Sequence, residues 1–259
     1  MKLYPIFERK AGIAMPFLFL SPSTQVYNPY LTSGNEQYWM NLLADRMQPY
    51  LSASGVTVTR NDANGTAAQS IRDSNAGRQD FHLALHSNAA PAGSEGSFRG
   101  IDLYYYPTSE AGLRMANLLA DELKPIYPLP ERVRALPTTA IGEVRRTNAP
   151  SVLIELGYHD NREDEAWLTG NPDEIAQALA KAVTEYFGLP FLLPQPARSG
   201  TVTLQSGVLN LRGAPTTEAP ILAQIPNGTQ LPVLAEYEGW YTVDYDGTFG
   251  YVDGRYLTF

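Results

Sequence analysis

Between residues 17 and 187 the hydrophobic positions switch repeatedly between a period of two and a period near 3.6. Phe17–Leu20 is a short apolar run with the character of a strand. Asn35–Ser52 carries Tyr38, Leu42, Met47 and Leu51 at helical spacing, and the β-branched stretch Gly55–Arg60 predicts a second strand. Ala67–Gly77 reads as a helix, Phe81–His86 and Gly100–Tyr106 as strands, and Glu110–Leu123 as an amphipathic helix. Ser151–Leu156 is apolar enough for a buried strand, and Pro172–Phe187 is a terminal helix with Asn171 placed to cap it. This alternation predicts an α/β domain built on a mixed, largely parallel sheet flanked by helices.

The pattern breaks after residue 188. Gly188–Gly200 holds three Pro and ends in Ser-Gly, so 189–200 reads as a semi-extended linker. Beyond it, short strand-like runs alternate with the turn pairs Asn227-Gly228, Glu238-Gly239 and Asp246-Gly247, the signature of a small all-β barrel over 201–259. At the other end, the apolar run Ile13–Leu20 is interrupted by Pro16 and lacks a small-residue cleavage pattern, so no signal peptide is expected. Residues 1–14 read as an extension before a domain spanning 15–188. No apolar run has the roughly 18–20 residues needed for a membrane span.

Composition narrows the chemistry. The net charge of -8 argues against nucleic acid as a partner, since phosphate binding needs a basic surface. With no Cys there are no disulfides, thiol nucleophiles or thiolate ligands, so any transition metal must rest on His and carboxylates. The chain has only three His: His82 and His86 in one strand, and His159 just beyond another. In α/β sheets, sites form at the carboxyl ends of strands. His86 and Glu155 are delivered there, and Glu36 opens the first helix. A carboxylate and an imidazole converging from separate elements can bind zinc while a second carboxylate activates water. Glu155 within the apolar run Val152–Leu156 stands out, because a buried carboxylate is costly without a purpose or a partner.

Six ordered segments carry a family resemblance: Glu36, Gly55–Arg60, Asn75-Ala76, His86–Ala89, Gly100–Tyr105 and Pro150–Tyr158. Through them, residues 17–187 resemble the zinc-dependent N-acetylmuramoyl-L-alanine amidases of the amidase_3 type. The resemblance implies a twisted six-stranded sheet and cleavage of the amide between N-acetylmuramic acid and L-alanine in peptidoglycan. It also implies Zn2+ as cofactor, Glu36 and His86 as zinc ligands, and Glu155 as the catalytic carboxylate. Asn88 and Arg146 are candidate glycopeptide contacts, with a loop cap and a surface charge as their structural alternatives.

One position departs from that pattern. The family's first zinc ligand is a His after strand one, and here the turn reads Ser21-Pro22-Ser23-Thr24-Gln25. His82 lies four residues before His86, roughly 13 Å along an extended strand, too far to share a zinc with ligands at about 2 Å. His159, in a loop after Glu155, is therefore the favoured third ligand, with Gln25 or Thr24 as weaker alternatives and a solvated loop residue as its plain reading.

The C-terminal run Val208–Pro215, with Gly239–Val243 and Phe249–Val252, resembles bacterial SH3 domains, which implies binding to cell-wall peptide. Trp240, Tyr241, Tyr245 and Tyr251 are candidates for an aromatic groove. The expected protein is a peptidoglycan hydrolase with a wall-binding domain, a layout similar to phage endolysins and autolysins. The competing reading, motivated by the missing turn His, is a non-catalytic wall-binding protein on an amidase scaffold. Oligomeric state and route to the wall are not legible.

Overall fold

In the computed structural model, residues 16–196 and 198–259 are described; the expected extension over 1–14 lies outside them. The chain divides into two compact units, residues 17–50 with 58–183, and residues 51–57 with 184–259.

The larger unit is the expected α/β sandwich. Its elements run β1 (Phe17–Pro22), α1 (Glu36–Ala53), β2 (Thr57–Arg60), α2 (Ala67–Ala76), β3 (Phe81–Asn88), β4 (Ile101–Tyr105), α3 (Glu110–Leu123), β5 (Val133–Pro137), α4 (Gly142–Arg145), β6 (Ser151–Tyr158), α5 (Arg162–Gly170) and α6 (Pro172–Phe187). The six strands are ordered β2-β1-β3-β6-β4-β5. β1, β3 and β6 run parallel, while β4 is antiparallel to β6 and parallel to β5. β3 lies between two parallel neighbours, so Phe81 through Ser87 are all buried, as a strand covered on both faces requires. Helix starts follow local chemistry: Thr66 accepts from the Gln69 amide ahead of α2, and Ser109 accepts from Gly112 ahead of α3. α3 then buries Met115, Ala116, Leu119, Ala120 and Leu123 along one stripe.

Three elements have no clear hydrophobic signal. β5 buries only Val133 fully, α4 is a single turn of four residues, and α5 opens on Arg-Glu-Asp-Glu. α5 nonetheless has a cap: Asn161 accepts from the amides of Glu163 and Asp164, with acids filling the first turn. Asn171, expected to cap α6, instead donates its side-chain amide to the Trp167 carbonyl at the end of α5.

A bulge near the end of β6 sets the direction of the chain beyond Glu155. His86 pairs with Glu155, but Asn88 pairs with Tyr158, so β6 spends one residue more than β3 over this stretch. Gly157 sits there at φ 73°. The carboxylate of Asp164 closes the bend, accepting from the amides of Tyr158 and Gly100 and from the Tyr127 hydroxyl. A Cβ on Gly157 would lie 3.2 Å from Asp164 Cβ. Gly157→Ala is therefore expected to destabilise the protein by more than ~1 kcal/mol, measurable by urea unfolding; an unchanged midpoint would show that the bend does not depend on this glycine.

The smaller unit holds β7 (Arg198–Val202), β8 (Val208–Arg212), β9 (Ile221–Pro226), β10 (Gln230–Tyr237), β11 (Trp240–Tyr245), β12 (Thr248–Asp253) and β13 (Leu257–Thr258). They form an antiparallel sheet ordered β13-β7-β10-β11-β12-β8-β9 around Val202, Leu209, Leu211, Ile225, Leu231, Val233, Val243, Val252 and Leu257. The Glu238-Gly239 and Asp246-Gly247 pairs all adopt positive φ and close two-residue hairpins. Of the four aromatics expected in a groove, Tyr251 is fully buried, its hydroxyl donating to the Ser54 carbonyl. Trp240 lines an open groove of about 650 Å³ with Asn210, Arg212 and Arg255. Tyr241 and Tyr245 are partly buried against the core.

Candidate active site

β3 and β6 end side by side, and their register sets His86 directly beside Glu155; Asp102 of β4 flanks Glu155 on its other side. Glu36 comes from the first turn of α1 and is buried. Its Oε1 lies 2.8 Å from His86 Nδ1, and its Oε2 accepts from Asn28 Nδ2 at 2.6 Å. Asn28 also donates to Gln25 Oε1 at 3.1 Å, which turns the Gln25 amide nitrogen toward His86 Nδ1 at 3.2 Å. A cleft of about 360 Å³ lined by Ser23, Thr24, Gln25, Thr66, His86 and Glu143 leads to the imidazole.

The carboxylates around His86 control its charge. Burial alone lowers an imidazole pKa, but the carboxylates of Glu143 and Glu36 outweigh it and hold His86 at about 10. Burial pushes Glu36 up, yet its bonds to His86 and Asn28 keep it below the usual carboxylate range. Glu143 behaves likewise: burial is overcome by His82 and His86, and its pKa falls to about 2. Glu155 is the exception. Its Oε2 is sealed from solvent without a hydrogen-bond partner, and burial lifts its pKa to about 7 against the pull of His86, with Glu36 and Asp102 adding to the rise.

These shifts give the metal-free protein a definite pH response. His86 is raised above its unfolded value near 6.5, so its contribution is complete below that pH and is lost as pH climbs through about 10. Glu143 is depressed, so its contribution is present above about 4.5 and is lost as pH falls through about 2. Thermal melts in chelator should show stability highest near pH 4.5, declining up to about pH 7 as Glu155 ionises and further from pH 7 to 10 as His86 loses its proton. A flat profile across the alkaline range would mean that His86 is not an imidazolium in the metal-free state.

The other expected residues take different places. His159 is not brought to the Glu36–His86 pair. Its Nδ1 lies 3.0 Å from Ser87 Oγ, its ring stacks on Tyr30 at 5.2 Å, and the Tyr30 hydroxyl donates to Ser87 as well. The bulge explains this. An uninterrupted β6 would put Glu155, Gly157 and His159 on one face, and the extra residue sends His159 toward Ser87, which alternates away from His86. His82 is fully buried, stacked on Phe19, with its ring nitrogens 3.0 Å from Ser74 Oγ and 3.2 Å from Glu143 Oε1. Asn88 Oδ1 accepts from the Ala89 amide, and Arg146 is exposed, its carbonyl accepting from Asn75. Glu143 was not singled out by sequence reasoning, since it lies on a one-turn helix with arginines close behind it; its only sequence signal is a Glu shortly before the start of a strand.

Tested against zinc, the site fits in part. Two ligands of one tetrahedral zinc stand about 3.3 Å apart, so the 2.8 Å gap between Glu36 Oε1 and His86 Nδ1 needs only a small opening, and Glu155, with its orphaned Oε2, is in register with His86. Among the described residues, however, no group of three His, Cys, Asp or Glu can hold a metal. Gln25 turns its side-chain amide nitrogen, which is no metal donor, toward His86, and its oxygen accepts from Asn28.

The fold is an α/β domain with a His–carboxylate cluster at the strand ends, followed by a small β-domain. Residues 30–185 match the family Amidase_3, N-acetylmuramoyl-L-alanine amidase, and residues 207–258 match SH3_3, the bacterial SH3 domain. The chain belongs to the Amidase_3 family and carries a bacterial SH3 domain at its C-terminal end. It is similar to N-acetylmuramoyl-L-alanine amidase LytC of Bacillus subtilis, with 27% identity over 152 residues, covering 56% of this chain and 30% of that protein. The chain thus matches under a third of that relative's length. Its fold is similar to the catalytic domain of CwlV from Bacillus (Paenibacillus) polymyxa var. colistinus, with TM-score 0.58, 18% identity, and coverage of 68% and 100%. It is also similar to AmiC2 of Nostoc punctiforme, with TM-score 0.56, 18% identity, and coverage of 66% and 96%. The family match begins at residue 30, beyond the Ser21–Gln25 turn.

Proposed function

We propose that this protein is a zinc-dependent N-acetylmuramoyl-L-alanine amidase that hydrolyses the bond between N-acetylmuramic acid and L-alanine in peptidoglycan. The observation that carries the reading is Glu155: a half-buried carboxylate with one sealed, unpaired oxygen, lifted to about 7 and set in register beside the His86 that pairs with Glu36. Membership of the Amidase_3 family supplies the substrate class. Glu36 and His86 would hold the metal. When bound, zinc supplies Lewis-acid polarisation of the scissile carbonyl and of water. Glu155, near neutrality, is matched to take a proton from the attacking water and return it to the leaving amine. Asn28 keeps the Glu36 carboxylate aimed at His86. The domain boundaries proposed are 15–188 for the amidase, 189–200 for a linker and 201–259 for a wall-binding SH3 domain, whose groove beside Trp240 is open to a peptide. No helix among the described residues is long and apolar enough to cross a membrane, and the cell wall is the proposed place of action.

The lack of a third ionisable ligand among the described residues favours one other reading, a wall-binding protein without catalysis. Incubating the purified protein with purified walls decides between them. Release of L-alanine amino termini that stops on adding chelator supports the amidase; wall binding without such release sinks it.

A further inference from the structure

We propose that Arg134 is a substrate-binding residue whose outer guanidinium edge takes a free carboxylate of the peptide, within about two residues beyond L-alanine. The proposal rests on the amidase reading above and adds to it the place and charge of a peptide subsite.

Register aligns one residue from each of four strands across the sheet. His86 of β3 pairs with Glu155 of β6, Glu155 with Asp102 of β4, and Asp102 with Arg134 of β5. Cross-strand partners point to the same face, so the four side chains form a row leading from the proposed reacting centre to the edge strand. The Asp102 side chain is 4% exposed and that of Arg134 52%. Both carboxylate oxygens of Asp102 are engaged. Oδ1 accepts from Arg134 Nε at 2.9 Å and lies 2.7 Å from Nη2, while Oδ2 accepts from the Tyr104 hydroxyl at 3.3 Å. Asp102 is thus an anchor for the guanidinium. A guanidinium has more than one edge that a carboxylate can grip. Asp102 takes the Nε side, which leaves the Nη1–Nη2 edge for a ligand. Held this way, the arginine loses little further side-chain freedom when it binds.

The surroundings suit a peptide. Burial raises the pKa of the Tyr158 hydroxyl, with Asp102 adding to the rise and Arg134 opposing it, so this hydroxyl faces the same pair. Phe98, 43% exposed, stacks on the Tyr158 ring at 5.9 Å and supplies an apolar shoulder. Drawn toward Asp102, the guanidinium stands roughly one strand spacing, ~4.8 Å, beyond Glu155. A peptide advances about 3.3–3.6 Å per residue, so the free edge is reached one or two residues past the scissile amide. A carboxylate there meets a fixed fork of donors, whereas an ammonium group meets like charge.

The test uses purified walls in two forms, native and with their carboxylates amidated through a carbodiimide. Release of L-alanine amino termini is measured at low wall concentration for the full chain, Arg134→Gln and Arg134→Lys, with folding read by far-UV circular dichroism. The readout is the preference, the native rate divided by the amidated rate, in which wall binding by the β-domain cancels between variants. Preference should fall about tenfold in Arg134→Gln, the size of a charge-assisted pair discounted for a half-exposed guanidinium. Arg134→Lys keeps the charge without the fork, and its preference should fall less. If Arg134 only neutralised Asp102, its loss would slow hydrolysis of both walls alike; an unchanged preference in folded Arg134→Gln therefore overturns the proposal. Should Arg134→Gln not fold, Arg134→Lys decides, and an undiminished preference there overturns it equally. If the unsubstituted protein releases no L-alanine termini from either wall, the amidase reading itself fails and the subsite falls with it; release without a shift in preference refutes the role of Arg134 alone.

Discussion

Glu155→Gln is expected to reduce the release of L-alanine amino termini from cell walls by ~10²–10⁴-fold, the usual contribution of a positioned acid–base group. The same substitution should make the metal-free protein more stable at pH 8. Both effects have one origin. Glu155 is raised from 4.5 to about 7 chiefly because its carboxylate is taken out of water without a partner on Oε2. For an acid raised on folding, the cost is absent below pH 4.5, grows as the unfolded chain ionises, and is complete above about 7. Removing the charge should therefore recover roughly 2–3 kcal/mol at pH 8 and little at about pH 4. Calorimetry at the two pH values, paired with the wall assay, checks the argument. Full hydrolytic activity in this variant would remove Glu155 from the chemistry, and a stability gain equal at both pH values would remove its charge from the explanation.

His86→Ala should have the opposite effect on stability and the largest effect on metal. His86 is the cation shared by Glu36 and Glu143, and Glu155 lies in register beside it. Taking one partner from a buried ion pair costs about 3–5 kcal/mol, because the charge left behind is uncompensated. The deficit should be large at pH 7 and shrink toward pH 4, as Glu36 and Glu143 become able to take up protons. Zinc retention should fall to background in dialysis followed by elemental analysis. His159→Ala provides the contrast. Its ring is occupied by Ser87 and Tyr30, so that variant should retain zinc as the unsubstituted protein does. Zinc loss in His159→Ala, with retention in His86→Ala, would reverse the assignment drawn from the bulge at Gly157.

Much of the fold was legible because burial imposes a period. The apolar run Val152–Ile154 of β6 and the alternation in β10 follow from how many of their faces are covered, and the Glu238-Gly239 and Asp246-Gly247 turns follow from their positive φ. α4 and β5 were not legible. Four residues are too few to show a period, and an edge strand with little burial has no pattern to impose.

The candidate site divides along the same line. Glu36, His86 and Glu155 could be picked out in the chain, because a charged or imidazole group at the end of an apolar element is conspicuous one residue at a time. Their neighbours depended on contacts between residues distant in sequence. One extra residue in β6 turned His159 to Ser87, reversing an expectation built on strand and loop spacing. Contacts made by α4 with β1 and β3 brought Glu143 to Ser21 and His82, across 122 and 61 positions of chain, and to His86 beside them. The sequence by itself determined which elements form and which chemical groups they carry to the sheet's edge, since both depend on local period and residue type. Only the tertiary structure decided which groups meet and which are shielded from water, because partners and desolvation come from residues that the chain order keeps apart.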